Sequence, residues 1–258
     1  MEQKKTSLLY RLILALVLWI YPRTGAEGTE HLPGGAFIAV GNHAQIHGPL
    51  MCELHFPVPR YTWCAGEMMH LREVPAYAYR DFWSQKPRWQ RPFFKLASYL
   101  IAPLAVCLFN NANCIGVYHD SRILSTFKET VRVLESGAGV VIFPEHDVPD
   151  NDILCEFQDR FVDVAKMYYR RTGQELPFVP MYVAPSLGKL YFGPPVTFRH
   201  DAPIEDERRR IAGAMSESIT ALARSLPRHT VVPYRNIPKR DYPENLPTEE
   251  QTHEKTNG

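Results

Sequence analysis

Groups able to move a proton are concentrated at two places in this sequence. Asn42-His43 is followed shortly by His47, and Phe143-Pro144 leads into Glu145-His146-Asp147. A hydroxyl is a poor nucleophile at neutral pH, and an imidazole titrating near about 6.5 can take its proton as a new bond forms. A carboxylate on the other ring nitrogen fixes the tautomer and stabilises the imidazolium. His43 is an imidazole that could take a proton in this way, and Glu145 and Asp147 are carboxylates that could orient one. Competing readings of the same residues are a loop histidine bonded to backbone for His43 and a turn residue for Asp147. The set His43, His47, Glu145, His146 and Asp147 is also an inventory for a divalent metal, which predicts a metal-dependent hydrolase. Gly48-Pro49 works against a helix presenting both histidines on one face, and the spacing does not fit HExxH.

These groups need elements to bring them together. Ala36-Phe37-Ile38-Ala39-Val40 reads as a buried strand delivering Asn42 and His43 to its C-terminal end, and Pro49 suits the first turn of the next helix. Cys114 to Tyr118 is a short strand. Asp120 or Ser121 caps a helix whose Leu124, Phe127, Val131 and Leu134 recur at helical spacing, and Gly137 ends it. Gly139 to Phe143 then forms a buried, parallel strand that carries Glu145-His146-Asp147 to the same sheet edge. Ile153 to Arg171 reads as an amphipathic helix. Phe178 to Val183 is a strand in which Pro180 predicts an edge position or a bulge. Tyr191 to Phe198 is a turn and short strand, and a last helix runs from about Glu205 to Leu226. The fold class is α/β, with a mixed, mostly parallel sheet flanked by helices. Open sheets of this kind place their sites at strand-to-helix connections.

Four signals occur in order: the strand ending in Asn42-His43, Ile115-Gly116-Val117-Tyr118, Phe143-Pro144-Glu145, and Phe178-Val179-Pro180-Met181-Tyr182. Their order and spacing over Tyr10 to Arg199 resemble the glycerolipid acyltransferase family, which includes the lysophosphatidic acid acyltransferases. The resemblance implies that His43 deprotonates the hydroxyl of a lysophospholipid-type acceptor, which attacks the thioester of acyl-CoA or acyl carrier protein. No metal or redox cofactor is then needed. It assigns Asn42, His119, Arg122, Pro144 and His146 to substrate binding. The sequence departs from the family pattern at three points. Gly48 stands where the family has the Asp that partners its His. His146-Asp147-Val148 replaces Gly-Thr-Arg, and His119 holds a usual Arg position. The expectation is that Asp147 or Glu145 takes over the orienting role. Loss of the Arg at Val148 removes a bidentate phosphate donor, so the acceptor is expected to be other than a simple glycerol phosphate, with His119 and Arg122 holding one anionic group. A solvated helix N-terminus is the competing reading of that pair. A non-catalytic relative that binds lipid is the further alternative.

A chain of 258 residues, 45% apolar and 22% charged, with a formal charge of +1, is ordinary for one globular domain and excludes a strongly basic nucleic-acid binder. Cys52, Cys64, Cys107, Cys114 and Cys155 are dispersed in apolar stretches without a CxxC pair, which points to reduced, buried thiols in a cytosolic compartment. The apolar run Leu12 to Tyr21 is too short to span a bilayer, for which roughly 20 residues are needed. It reads as an interfacial helix with Trp19 and Tyr21 at headgroup depth and Lys4, Lys5, Arg11 and Arg23 near phosphates; a packed core helix is the alternative. Tyr77 to Phe109, rich in Tyr79, Phe82, Trp83, Trp89, Arg91, Phe93 and Phe94, divides into an aromatic and basic half suited to headgroups and an aliphatic half suited to a core. The expected organisation is a membrane-interface helix over 1–23, a catalytic domain over 24–238 and a disordered polar tail over 239–258. The expected location is the cytoplasmic face of a membrane, bound peripherally or monotopically.

Overall fold

The computed structural model describes residues 6–21, 23–83 and 87–246. Lys4, Lys5 and Pro22 lie outside them, as do residues 247–258 of the expected tail.

The chain forms helix α1 (Leu8–Ile20), strands β1 (Gly25–Glu27) and β2 (Phe37–Gly41), helix α2 (His47–His55), strand β3 (Arg60–Ala65), and helices α3 (Val74–Ala78) and α4 (Arg91–Asn111). Strand β4 (Cys114–Val117), helix α5 (Ile123–Glu135), and strands β5 (Gly139–Ile142), β6 (Glu145–Pro149) and β7 (Cys155–Phe157) follow. The remainder is helix α6 (Asp163–Thr172), strands β8 (Pro177–Ala184), β9 (Lys189–Phe192) and β10 (Val196–Thr197), and helix α7 (Ile204–Ser225). Among the described residues the main sheet has eight strands in the order β1-β9-β8-β2-β5-β3-β4, with β10 also on β8. All pairings are parallel except those of β9 and β10 with β8. The expected α/β class with a mixed, mostly parallel sheet is therefore the observed one.

Strand periodicity explains the layers. Ile38, Val40, Val140, Ile142 and Phe178 pack with Val131 and Leu134 of α5, Val164 and Tyr168 of α6, and Ile211 and Met215 of α7. The alternate residues Phe37, Ala39, Val141, Val179, Met181 and Val183 pack with Met51 and Cys52 of α2. A two-residue period sends neighbours to opposite faces, so strands covered on both sides read as continuous apolar runs.

Four expectations change. The stretch from Ile153 is not one helix: Cys155–Phe157 pairs antiparallel with Glu145–Pro149, and the helix begins at Asp163. Strand β8 is central, not an edge. Pro180 is tolerated because its carbonyl takes the Gly193 amide at 2.9 Å, which turns its missing N–H toward the break between β9 and β10 at Gly193-Pro194-Pro195. The aliphatic half of α4 is not core. Ser98, Ala102 and Ala105 are buried while Phe93, Leu96, Leu100 and Leu104 are exposed, so the helix packs by a narrow small-residue face and leaves its broad apolar face open. Residues 239–246 also belong to the packed chain: Asn245 is buried, and Thr230 bridges Glu244.

The segment Arg88–Asn111 is long and apolar enough to cross a membrane, with hydropathy 1.7, and 17% of its most apolar 18-residue stretch is buried. Helix α1 likewise exposes Leu8, Leu9, Leu12, Leu16 and Trp19. Ser7 caps α1 and ties it to α4, its amide donating to Asn111 Oδ1 at 2.7 Å. Tyr10 docks α1 on the domain, its hydroxyl donating to Glu53 Oε1 at 2.5 Å while Arg60 holds Glu53 Oε2 at 2.6 Å. The Tyr21 hydroxyl meets His47 Nδ1 at 2.8 Å.

Candidate active site

His43 leaves the C-terminal end of β2 in a turn locked from three sides. The Asn42 carboxamide bonds both ways with Val183 of β8, accepting its N–H at 2.7 Å and donating to its carbonyl at 3.0 Å. The side chain thus extends the β2–β8 ladder by one rung. The His43 amide donates to Glu145 Oε2 at 2.5 Å, and the Cys155 amide donates to Glu145 Oε1 at 3.0 Å. Ala44 and Gln45 both adopt left-handed backbone, with φ of 46° and 54°. Such conformations cost a non-glycine residue of order 1 kcal/mol or more and persist only where the surroundings enforce them. Here the His47 amide closes on the Ala44 carbonyl at 3.0 Å and the Gly48 amide on the His43 carbonyl at 3.1 Å.

The imidazole stands between two aromatic rings, both edge-on: Phe143 at 5.3 Å and Tyr234 at 5.8 Å between centroids. Burial lowers its pKa below the ordinary histidine value, and a hydrogen bond to the Gln45 main chain offsets part of that shift. Burial thus favours the neutral ring, the form a general base requires. The reading of His43 as a loop histidine bonded to backbone is met in its hydrogen bonding, and the strained turn and aromatic walls set it apart from an ordinary one.

Neither expected carboxylate orients the ring: among the described residues no hydrogen bond joins Glu145 or Asp147 to the imidazole. Both oxygens of buried Glu145 are occupied by main-chain amides, which makes it a brace of the turn. Its pKa is pushed up to about 7 by burial, against those two amide bonds. Asp147 is exposed and bonded to Arg235, whose Nε faces its carboxylate and whose Nη2 donates to its carbonyl at 3.1 Å. Gly48 stands where the sequence resemblance led to the expectation of a carboxylate partner. A Cβ there would stand 2.4 Å from the His43 carbonyl oxygen and 3.0 Å from Phe143 Cε1, so this turn has no room for an Asp.

The other expected substrate ligands are dispersed. His146 faces Glu156 at 3.4 Å, and the Pro144 carbonyl accepts the Gln158 amide at 2.9 Å. Arg122 is taken up by Glu73 at 3.0 Å and Asp120 at 2.8 Å, and lies over the Tyr118 ring at 4.0 Å. His119 is exposed beyond the end of β4. Strand β4 is three strands from β2, roughly 14 Å at about 4.8 Å per strand, so His119 and Arg122 are set apart from His43. The metal inventory does not converge either, since His47 meets Tyr21, His146 meets Glu156 and Asp147 meets Arg235. Among the described residues no group of three or more His, Cys, Asp or Glu side chains forms a metal site. The Cys52 and Cys155 thiols are pushed up to about 12 and about 11 by burial, which leaves them protonated.

The C-terminal segment contributes what the sequence reading missed. Residues 229–246 form a strap across the mouth of the site, where Gln45 Nε2 donates to the Arg235 carbonyl at 3.1 Å and the Tyr242 hydroxyl donates to Gln45 Oε1 at 3.2 Å. The signal available was Tyr234-Arg235 between Pro233 and Pro238, an aromatic and a cation in a chain too proline-rich for helix.

The fold and this turn define an α/β protein with a half-buried imidazole, that of His43, at the C-terminal edge of a mostly parallel sheet. No protein-family model matches the chain, and no curated protein matches its sequence. Among solved structures it is similar to the 1-acyl-sn-glycerophosphate (LPA) acyltransferase PlsC from Thermotoga maritima, at 15% identity and a TM-score of 0.47, over 83% of this chain and 80% of that one.

Proposed function

We propose that this protein is an O-acyltransferase that moves a fatty acyl group from acyl-CoA or acyl carrier protein to the hydroxyl of a lysophospholipid-type acceptor at a membrane surface. The observation that carries the reading is the half-buried His43 imidazole, set against Phe143 and Tyr234 at the end of β2. In the reaction His43 takes the proton of the acceptor hydroxyl as its oxygen attacks the thioester carbonyl. The tetrahedral intermediate collapses with cleavage of the C–S bond, and the departing thiolate takes the proton back from the imidazolium. The Gln45 main chain orients the ring in place of a carboxylate, and Glu145 fixes the turn from behind. No metal or redox cofactor enters these steps.

The exposed apolar faces of α1 and α4 support membrane binding, because an acceptor with a long acyl chain resides in a bilayer while the donor is soluble. The cytoplasmic face is proposed because acyl-CoA and acyl carrier protein are found there. The lack of a carboxylate at the ring favours one second reading, a non-catalytic lipid-binding module. Radiolabelled acyl-CoA and acyl carrier protein incubated with a panel of lysolipids separates the two. Transfer by the wild type that is abolished in His43→Ala supports the enzyme, and no transfer to any acceptor supports the module.

A further inference from the structure

The turn that follows β2 carries an exposed isoleucine whose neighbours on both sides are held in place. Ile46 is 71% exposed, although its backbone is fixed at the start of α2, where its carbonyl accepts the Leu50 amide at 3.2 Å. On one side of it Gln45 is bonded to the strap, at the Arg235 carbonyl and the Tyr242 hydroxyl. On the other side His47 is bonded to Tyr21, which caps the C-terminal end of α1. Trp19 and Ile20, in the last turn of α1, are 83% and 66% exposed. A cation reaches the same place from the strap, since burial and then the charge of Lys239 lower the pKa of His47. Lys239 and Arg240 lie in the single helical turn Lys239–Asp241, which ends at Tyr242 on the Gln45 turn, and both are exposed. Isolated exposed apolar side chains are ordinary on a protein surface. Here three of them and two cations converge from three segments on the edge that carries His43.

We propose that this rim is a docking surface for an anionic lipid bilayer, in which Ile46, Trp19 and Ile20 enter the headgroup layer and Lys239 and Arg240 meet lipid phosphates. The proposal rests on the membrane association in the reading above and extends it from the apolar faces of α1 and α4 to the turn and strap that frame the base. Two observations name the occupant. The rim continues the exposed stripe Leu8, Leu12, Leu16 and Trp19 of α1, a helix whose one charged residue is Arg11. A tryptophan beside basic side chains at the end of such a stripe suits the boundary between acyl chains and phosphates. The charge is also complementary. Asp241 lies 3.6 Å from Arg240 and Asp147 is paired with Arg235, so with Lys239 the strap tip and the hairpin beside it carry a net positive charge. Docked in this way, the mouth at His43 opens on the headgroup layer, and a lipid hydroxyl reaches the imidazole without leaving the bilayer.

Cosedimentation of the full-length protein tests this with vesicles of phosphatidylcholine alone and of phosphatidylcholine mixed equally with phosphatidylglycerol. A basic side chain near an anionic surface is worth about fivefold in binding. Lys239→Gln combined with Arg240→Gln should therefore weaken binding to the mixed vesicles by about tenfold or more and leave binding to phosphatidylcholine alone unchanged. Ile46→Gln should weaken binding to both compositions by about threefold or more, because it removes an apolar contact. Arg132→Gln combined with Arg209→Gln makes the same change in net charge on α5 and α7, which cover the sheet face opposite α2, and should bind nearly as the wild type does. Equal loss in this control would show that net charge and not the rim drives binding, and would overturn the proposal. So would wild-type binding to both compositions by either rim variant. A strap variant that loses purified acyl carrier protein but keeps the vesicles would make the surface a dock for an acidic protein instead. Wild-type melting temperatures show that the variants fold. Acyl transfer is a separate arm: no transfer to any acceptor, alongside rim-dependent vesicle binding, defeats the enzyme reading and leaves the docking surface standing.

Discussion

In the proposed reaction His43 acts as a base only while its ring is neutral, and the surroundings decide over what range that holds. Burial lowers its pKa, so the acid limb of kcat/KM is expected below the ordinary histidine value of about 6.5. A limb at or above that value would mean a solvated ring or control by another group. Glu145 is the group to exclude, because its pKa of about 7 lies above its ordinary value of 4.5. Between those values the folded state holds a proton that the unfolded chain has released. Its contribution to stability is therefore fully present below about 4.5 and is lost as pH rises through about 7. Glu145→Gln should flatten the melting temperature between pH 5 and pH 8 and leave the acid limb of activity in place. It should also cost about 2 kcal/mol, because a carboxamide accepts one of the two amides of His43 and Cys155 and opposes the other. Calorimetry at the two pH values checks both effects. His43 was legible in the sequence because a strand ending in Asn-His is a local pattern. The roles of Glu145 and Asp147 were not. Residue type places a carboxylate at a sheet edge, but which donor it faces depends on the β6–β7 hairpin and on Arg235, 88 positions away.

Helices α1 and α4 show why element type is easier to read than element environment. The apolar run of α1 and the aromatic and basic start of α4 were evident, and a helix followed in each case. Which face is covered depended on partners the pattern does not contain. Ser98, Ala102 and Ala105 are small enough to let α4 lie close against Val74 and Ala78 of α3, so the larger side chains are left outward. Trp19, Leu16, Phe93 and Leu100 are all more than half exposed. Burying such a side chain is worth about 1.5–3 kcal/mol at full burial and less at an interface. Replacing all four with Gln is expected to weaken binding to anionic phospholipid vesicles by at least tenfold while leaving the melting temperature near that of the wild type. Cosedimentation with the vesicles measures the first and calorimetry the second. Unchanged vesicle binding would remove these faces from the proposed membrane contact. Strand β3 was missed for a related reason. Arg60 begins it and is buried, and a buried arginine breaks the apolar pattern unless its partners, the Cys52 carbonyl and Glu53, are known.

Across the whole molecule, residues 229–246 return to pack on the turn that follows β2. The central order β8-β2-β5 could be anticipated from three buried apolar runs, each ending in polar groups or a turn at one edge. The strap could not, because its polar, proline-rich sequence is also that of a disordered tail, and its order comes from nonlocal hydrogen bonds. The root of the strap is Asn245. Its carboxamide donates to the Ala223 carbonyl at 2.8 Å and the Leu226 carbonyl at 3.1 Å and accepts the His229 amide at 2.8 Å, all at the C-terminal end of α7. The Val231 amide on the Pro243 carbonyl at 2.9 Å joins the two arms above it, and Tyr234, Arg235 and Tyr242 occupy the tip on the Gln45 turn. Asn245→Ala strands three buried polar groups at once, a loss of about 2–4 kcal/mol, which for a chain of this size lowers the melting temperature by about 5 °C or more. Activity should fall further than stability. At a temperature where the variant is still folded, kcat/KM is expected to drop at least tenfold, because the aromatic wall that Tyr234 gives His43 is carried by the loosened arms. Hydrogen exchange should then quicken across residues 231–243 while β2, β5 and β8 stay protected. Equal loss of protection in the strap and in the sheet would show that Asn245 holds the domain as a whole and not the site.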